Sequence, residues 1–243
     1  AKGGKVMIQR HSIILWKKAD TNNRNFDDIA KEAFATLNVL YDYPIECRPN
    51  YVTGFSKKDT KEIDWDFENF KKILVNGVNR EGDEIFQDLG STISMFSSLD
   101  EEKSFSFEMT VGNRDERFYN SLVINIPLFF SLNEDRNSNF ICEIFRKLVL
   151  NFNPFWGCVS NKVIARRYGE YLHNGIPTTI HWLNYWEKEI EAKIGSQRIQ
   201  YLLEVAPNSN YENRILQLQN KAFDVESDKD LDYHKQVEHI LLL

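Results

Sequence analysis

Apolar residues recur at helical spacing in four segments of this 243-residue chain. In the clearest of them, Ile141, Ile144, Phe145 and Leu148 fall on one stripe, and Pro154 follows it. Spacings of three and four residues place side chains on one face of an α-helix, where they can pack against a core. The pattern therefore predicts helices over Phe26–Tyr41, Phe67–Val75, Asn139–Phe152 and Asp228–Leu242.

A second pattern, alternation of apolar and polar residues, occupies the middle of the chain. Ser104–Val111 is the best example, since Phe105, Phe107 and Met109 all fall on one side. A period of two is typical of a β-strand with one buried face. The acidic turn Asp100–Lys103 separates this strand from the preceding one, which predicts an antiparallel hairpin. Strands are expected at Val6–Trp16, Arg48–Val52, Ser91–Ser97, Ser104–Val111, Ser121–Ile126 and Trp156–Val159.

The remaining segments give weaker patterns. Polar Gly54–Asp66 is expected to be a loop, and Gly82–Leu89 a short helix that Gly90 terminates. In the C-terminal half we expect a helix from Ser160 through Leu172, a strand at Pro177–Trp182, a helix at Tyr185–Ile194 capped by Asn184, and a hairpin of Arg198–Val205 with Ile215–Lys221.

Helices and strands are mixed along the chain, and several strands follow one another directly. No internal repeat, low-complexity tract or long linker divides the sequence. These features predict an α+β fold, in which one domain spans residues 1–243 and helices pack on a mixed or mainly antiparallel sheet. Met7 could be the natural start, which would make Ala1–Val6 a foreign or disordered extension.

Composition narrows the classes of function. The formal net charge is -6 and the pI is about 5.5, so a basic face for nucleic acid is not expected, whereas a basic protein would be attracted. Three cysteines without C-x-x-C spacing favour the reducing cytoplasm over a disulfide framework. No apolar run approaches the roughly 20 residues that span a bilayer, so no membrane partner is expected.

The sequence offers one set of residue types for covalent catalysis. Cys158, His181 and Asn184 are the types found in thiol hydrolases, where a base forms the thiolate and a third group orients the base. Cys158 stands between Trp156 and Val159, where a buried and inert thiol is the commoner outcome. A hydrolase that uses Cys158 and His181 is therefore the alternative to a binding function.

Metal and nucleotide chemistry have no support in the spacing of residues. The five histidines form no H-x-H or H-E-x-x-H pattern, and His234 and His239 are wrongly spaced for one helix face. Two E-x-K sequences, Glu101–Lys103 and Glu191–Lys193, fall on a turn and a helix rather than on the strand that a nuclease needs. With no glycine-rich phosphate loop either, no metal and no cofactor are expected.

An acidic segment with an interleaved tryptophan is the candidate for partner binding. Between positions 59 and 68, five acidic residues accompany one lysine. Carboxylates around an exposed aromatic ring would form an anchor with an electrostatic rim, although solvated charge in a loop is the simpler explanation. The candidate partner-binding residues are Asp59, Glu62, Asp64, Trp65, Asp66 and Glu68.

Two aromatic-rich segments are better explained by structure than by function. Pro177–Trp186 contains three large aromatic side chains within five residues, and buried aromatics at the junctions of elements usually serve packing. Trp182 is expected in the core, with Asn184 or His181 fixing a corner by hydrogen bonds. Structural roles are assigned to Trp156, Gly157, Asn161, His181, Trp182 and Asn184.

The succession of these segments resembles the immunity protein 52 family of bacterial polymorphic toxin systems. The resemblance covers roughly Cys47 to the C-terminus and includes Asp88–Ser97 and Asn120–Pro127. Its most specific parts are W-G-x-x-S-N at Trp156–Asn161 and P-T-x-I-H-W-x-N-Y at Pro177–Tyr185.

This resemblance implies a cytoplasmic inhibitor that acts by binding. Members of the family are associated with toxins delivered by contact-dependent or type VI secretion, of a nuclease class similar to restriction endonucleases. The chain would bind and neutralise one cognate toxin domain, expected to be a basic nuclease, without catalysis. Acidic side chains facing a basic DNA-binding cleft suit that role. The shared aromatic motifs are not carried over as toxin contacts, and a homo-oligomeric scaffold is a weaker alternative.

Overall fold

A long antiparallel sheet runs through the protein, whose computed structural model describes residues 8–54, 57–165 and 169–243. Residues 1–7, which include the proposed extension and start, lie outside the described residues. The strands are β1 (His11–Lys17), β2 (Tyr51–Val52), β3 (Lys61–Glu62), β4 (Arg80–Glu81), β5 (Glu84–Ile85), β6 (Ser91–Phe96), β7 (Ser106–Val111), β8 (Asn120–Ile126), β9 (Trp156–Asn161), β10 (Leu172–His173), β11 (Ile176–Pro177), β12 (Leu183–Trp186), β13 (Asn210–Glu212) and β14 (Ile215–Gln217).

Helices connect and cover these strands. They are α1 (Phe26–Asn38), α2 (Phe67–Asn76), α3 (Asp135–Phe152), α4 (Lys162–Ala165), α5 (Lys188–Ile194), α6 (Ser196–Val205) and α7 (Asp228–Leu242). Short 3-10 helices follow at Val39–Asp42, Ile45–Cys47, Lys57–Asp59 and Gln87–Leu89. Side chains of Asn25, Asp66 and Ser227 accept hydrogen bonds from backbone N–H groups in the first turns of α1, α2 and α7, which fixes where these helices begin.

The main sheet contains ten of the described strands in the order β13-β14-β12-β9-β1-β8-β7-β6-β2-β3, and two small hairpins, β4–β5 and β10–β11, stand apart from it. Every strand pair in the described ranges is antiparallel. The predicted α+β class with a mainly antiparallel sheet is therefore confirmed.

One face of the sheet is buried along its length. Ile13 lies opposite Ile124, and Leu15 lies opposite Leu122, so the four side chains share that face. All four are at most 2% exposed. Helices α1, α2 and α3 pack on this side, and α1 contacts both of the others. This layer holds the main part of a hydrophobic core that is continuous through the described residues.

The opposite face is covered over only part of its width. Around β1 and β9, Trp16 and Trp156 form a cross-strand pair, and the Tyr171 ring packs on both at centroid distances of 5.7 and 5.4 Å. Over β6, β7 and β8 the same face carries mostly small polar side chains that are half-buried, and Glu108 there is exposed. This face of the sheet thus has a covered half, around β1 and β9, and an open half, over β6, β7 and β8.

Several predicted elements are confirmed with small changes of boundary. The β6–β7 hairpin, β8 and β9 fall where strands were predicted, and the predicted stripes match α1, α2, α3 and α7. The strand predicted at Val6–Trp16 is β1, which begins at His11 and ends at Lys17. Helix α3 begins at Asp135, one turn before the predicted start at Asn139. Strand β9 continues two residues beyond the predicted Val159.

Two predictions in the N-terminal half are wrong. Gly82–Leu89 is not an α-helix, because the β4–β5 hairpin turns at Gly82 and only Gln87–Leu89 is helical, in a 3-10 turn. The segment 54–66 is not only loop, since its β3 residues pair with β2. Its residues 55 and 56 lie outside the described residues.

The helix predicted from Ser160 through Leu172 is also wrong. Ser160 belongs to β9, and Leu172 pairs in β10. Only Lys162–Ala165 forms a helical turn, which Asn161 rather than Ser160 caps by accepting a hydrogen bond from Val163 N at 2.9 Å. Residues 166–168 lie outside the described residues.

The strand and helix predicted around Trp182 are displaced. The strand is β12, which begins at Leu183 and not at Pro177, and the following helix begins at Lys188 and not at Tyr185. Asn184 does not cap that helix, because it lies within β12 opposite Cys158 of β9. Pairing with β9 thus outweighs the local preference of this residue for a cap.

The predicted C-terminal hairpin has a wrong first strand. Arg198–Val205 falls within helix α6, which buries Ile199 and Leu202 one turn apart and packs on α7. The partner of β14 is instead the short strand β13, with Tyr211 opposite Leu216. Strand β14 itself confirms the second half of the prediction, over Ile215–Gln217.

Asn184→Ala is expected to lower the free energy of unfolding by about 2–4 kcal/mol, because it leaves two buried backbone groups without partners. Asn184 Oδ1 accepts from His181 N at 2.8 Å, and its Nδ2 donates to His181 O at 2.7 Å, which holds the bend before β12. Urea denaturation followed by tryptophan fluorescence measures the loss. The control, exposed Asn208→Ala, should change stability by less than about 0.5 kcal/mol. Equal stability of the two variants would contradict this role of the Asn184 amide.

Candidate functional site

The tryptophan of the acidic segment is already engaged within the protein. The Trp65 ring stacks between Phe34 and Tyr41 at centroid distances of 5.0 and 4.3 Å. Its Nε1 donates a hydrogen bond to Asn38 Oδ1 at 3.0 Å. The Trp65 ring therefore packs against α1 and the 3-10 turn after it. In this conformation Trp65 is not an exposed aromatic anchor.

The carboxylates around Trp65 form an exposed acidic border. Asp59 ends a 3-10 turn and Glu62 lies in β3, the last strand of the sheet on this side. Asp64 and Glu68 are exposed, and Asp66 caps α2 by accepting from Asn69 N at 2.8 Å. Partner binding by these six residues stays a prediction. They would contribute to binding by electrostatic attraction rather than by an aromatic anchor.

Cys158 and His181 are both buried. Cys158 has no exposed surface, and its burial raises the pKa of the thiol well above the ordinary range. Burial also lowers the pKa of His181 to about 3. Neither ring nitrogen of His181 has a hydrogen-bond partner within the described ranges, whereas activation of a thiol requires a base within hydrogen-bond reach of it.

The residues assigned structural roles make internal contacts. Trp156 is fully buried against Trp16, at a centroid distance of 4.7 Å. A Cβ at Gly157 would lie 2.6 Å from Leu15 Cδ2, so only glycine lets β9 approach β1 this closely. Asn161 Nδ2 donates to Gln9 Oε1 at 3.1 Å, and Trp182 Nε1 donates to Gln219 O at 2.8 Å.

A buried polar cluster lies beside His181. His234 Nε2, on α7, donates to Ile180 O at 2.8 Å and lies equally close to Glu238 Oε1. Thr179 Oγ1 also donates to Glu238 Oε1, at 2.8 Å. The cluster fixes α7 to the chain that leads into β12. No local pattern in the sequence indicates this cluster, because its two halves, residues 179–180 and 234–238, lie more than 50 positions apart.

A groove of about 1370 Å³ occupies one end of the open half of the sheet. Its floor includes Ser94, Phe96, Ser106 and Asn125, from strands β6, β7 and β8. The β6–β7 turn forms one wall, and the connection after β8 forms another. Thr53 and Thr60, next to β2 and β3, line the side that adjoins the acidic border.

Polar groups on the floor are hydrogen-bonded to one another. Asn125 Oδ1 accepts from Ser12 Oγ at 2.7 Å and from Lys162 Nζ at 3.2 Å. Asn125 Nδ2 donates to Ser106 Oγ at 3.0 Å. Because these groups already have partners, covering the floor with another protein would cost less than burying unpaired polar atoms.

Large apolar side chains are exposed on the rim of the groove. Leu99 is 69% exposed, Leu128 43% and Phe129 71%. Leu99 lies in the β6–β7 turn, and the other two follow Pro127 after β8. The Lys103 ammonium lies 5.6 Å from the centroid of the Phe129 ring. Three neighbouring exposed apolar residues on one rim are typical of a surface that another molecule covers.

Charges on the two sides of the groove have opposite signs. The β6–β7 turn carries Asp100, Glu101, Glu102 and Lys103, a net charge of two negative units. On the far side lie Arg10, before β1, and Lys162, after β9. The order of strands separates the backbones of the two sides by two to four strand spacings, roughly 10–19 Å, and the Lys162 ammonium reaches inward to Asn125 Oδ1 on β8 at 3.2 Å.

The lining of the groove contains residues for binding but not for the catalysis considered above. No histidine or cysteine is among the residues that line it, and Ser106 Oγ interacts with an amide rather than with a base. Across the described ranges, no group of three His, Cys, Asp or Glu side chains could hold a metal ion. These side chains can therefore supply apolar contact, hydrogen bonds and charge.

The β6–β7 turn was predictable from the sequence, whereas the groove beside it was not predicted. One signal was available, since Leu99 is an apolar residue in a polar turn, and Leu128-Phe129-Phe130 is an apolar run in a connection. Exposed apolar residues in connections favour a binding surface.

Comparisons with known proteins identify the fold. No family model matches the sequence, and no curated protein matches it either. Among solved structures, the chain is similar to the Pseudomonas aeruginosa T6SS protein PA0821, with a TM-score of 0.61 and 11% sequence identity. The match covers 96% of this chain and 72% of that protein. At this identity, the likeness shows a shared α+β fold.

None of the helices within the described ranges combines the length and the apolar character that crossing a membrane requires.

Proposed function

We propose that this protein is an immunity protein, which binds one cognate toxin domain and neutralises it without catalysis. The open sheet face carries this proposal, because it combines exposed apolar residues with a hydrogen-bonded floor. A surface of this kind suits protein binding.

Two further observations support the proposal. The motifs at Trp156–Asn161 and Pro177–Tyr185 resemble the immunity protein 52 family. The protein of similar fold, PA0821, is named as a T6SS protein, which agrees with a toxin delivered by type VI secretion. The net charge of -6 favours a basic toxin, such as a nuclease whose cleft binds DNA. The free cysteines Cys47, Cys142 and Cys158 suit an inhibitor that acts in the reducing cytoplasm.

Inhibition by stoichiometric binding is the expected result when this protein is titrated into the purified toxin domain that is encoded next to it. Toxin activity on plasmid DNA should fall linearly and vanish near one equivalent, and the pair should elute as one complex. Co-expression should also restore growth of a host that carries the toxin. No complex and no rescue would overturn the proposal, and so would inactivation by far less than one equivalent, since turnover would then be required.

Cys158→Ala distinguishes binding from thiol chemistry in the same assays. Because the thiol is fully buried with a raised pKa, the variant should inhibit the toxin as the unmodified protein does. Loss of inhibition by a variant that stays folded, judged by its thermal melt, would instead support chemistry at this residue.

A further inference from the structure

We infer that the toxin docks in the groove on the open sheet face, through a segment that carries an apolar anchor between a basic and an acidic group. This inference rests on the proposed function and specifies the surface that performs it. The groove is formed by the β6–β7 turn, the floor around Asn125, the connection after β8, and the wall at Arg10 and Lys162.

The apolar anchor is expected where the exposed apolar residues converge. Leu99 and Phe129 come from connections on either side of the β7–β8 pair, and both line one groove. Side chains that are 69% and 71% exposed gain most when an apolar side chain of a partner covers them. Leu128 extends the same rim.

A partner can cover the floor at low cost because the polar groups there are already hydrogen-bonded to one another. The side chain of Asn125 is hydrogen-bonded to Ser12, Ser106 and Lys162. A partner that excludes water here leaves these hydrogen bonds intact, so desolvation costs little. This arrangement favours a protein segment lying across the strands.

Charge complementarity fixes the chemistry of that segment. Its basic group would face Glu101 and Glu102, while its acidic group would face Arg10 and Lys162 on the far side. Because the two sides carry opposite charges, the groove attracts the segment in one orientation and repels it in the reversed orientation. The groove therefore selects a partner by orientation as well as by apolar contact.

The acidic border predicted from the sequence has a complementary role. It adjoins the groove at Thr60, and Trp65 within it is stacked internally, so the border offers charge but no anchor. Exposed charges outside the buried centre of an interface change the association rate more than the dissociation rate. Asp64 and Glu68 should thus attract a basic toxin, which the groove then holds.

The test measures association and dissociation of the purified toxin domain with surface variants. Leu99→Ser combined with Phe129→Ser should weaken binding at least about 100-fold, mainly through faster dissociation. Glu101→Lys combined with Glu102→Lys should slow association and weaken its dependence on salt. Asp64→Lys combined with Glu68→Lys should slow association by less than about tenfold and leave dissociation unchanged.

Leu150→Ser is the matched control, because Leu150 is 81% exposed on α3 and lies outside the groove. It should bind the toxin with unchanged kinetics. Since all substituted residues are exposed, thermal melts should match that of the unmodified protein, and a variant with a lowered melt is replaced by Leu99→Ala with Phe129→Ala.

Three outcomes would overturn the inference. Unchanged kinetics of the folded Leu99/Phe129 variant would exclude the groove while leaving the proposed function intact, provided that the unmodified protein still inhibits. A shift of that variant from dimer to monomer with unchanged toxin affinity would make the groove a contact between copies of this chain. Failure of the unmodified protein to bind would remove the proposed function and the inference together.

Discussion

Gly90→Ala is expected to lower the free energy of unfolding by about 4 kcal/mol or more, which is a large share of the stability of a typical domain. Gly90 joins the 3-10 turn Gln87–Leu89 to β6 with φ 67° and ψ -152°, a conformation that almost only glycine adopts. An added Cβ would lie 2.1 Å from Val111 O and 2.5 Å from Asn113 N. Because both are backbone atoms at the end of β7, neither can move without disturbing the β6–β7 pairing.

Gly82→Ala is the control that isolates the steric part of this effect. Gly82 also has a positive φ of 58°, but nothing lies within 4 Å of the position of a Cβ there. The strain of a left-handed alanine alone should cost roughly 1–2 kcal/mol. Soluble expression and urea denaturation compare the two variants. Similar losses in both would show that the contacts with β7 do not determine the requirement for glycine at Gly90.

Acid should destabilise the protein by roughly 4 kcal/mol between pH 7 and pH 5, through two buried histidines. Burial lowers the pKa of His181 to about 3 and that of His11 to about 4, from 6.5 in the unfolded chain. Near His181, the charge of His234 lowers its pKa further and that of Glu238 raises it. As the pH falls below 6.5, the unfolded chain binds protons that the folded protein does not, so stability is lost progressively down to about pH 3–4.

Urea denaturation at several pH values measures this loss. His181→Gln should remove about half of the difference between pH 7 and pH 5, whatever its effect on stability at pH 7. The control is Asn208→Ala, because Asn208 is exposed and its substitution removes no titratable group, so the full pH dependence should remain. If His181→Gln and the unmodified protein had parallel pH profiles, protonation of His181 would not be the cause.

Elements whose pattern is local and repeated could be predicted from the sequence. The stripes of α1 and α3 and the alternation in β6 to β8 each bury one face, and burial of one face produces these periods. The α+β class follows from their order along the chain. Strand order could not be predicted, because it depends on pairings such as β1 with β8 and β9, more than 100 residues away.

Predictions failed where a short segment satisfies two patterns. Ile199, Leu202 and Leu203 fit a helical stripe, yet Ile199, Tyr201 and Leu203 also alternate as in a strand. Packing of α6 on α7 decides in favour of the helix. At Asn184 the sequence showed a capping residue, whereas the structure uses the same amide to hold a bend before a strand.

The candidate site was the least predictable part. Trp65 looked exposed because its neighbours are acidic, but Phe34 and Tyr41, far earlier in the chain, cover its two faces. The groove brings together Arg10, Leu99, Asn125 and Lys162, which no local pattern connects. The acidic character of the border next to the groove could be predicted from the sequence. The shape of the groove could not, because it depends on how distant segments pack in the fold.

The position of β1 in the sheet also sets the order of events while the protein is being synthesised. This apolar strand is synthesised well before its two neighbours, which are residues 120–126 and 156–161. At about 5–20 residues per second, the nascent chain must wait roughly 8–30 s before both neighbours exist. Until residues 156–161 are made, one edge of this largely buried strand has no native partner, and unpaired apolar strand edges of this kind are what chaperones of nascent chains shield.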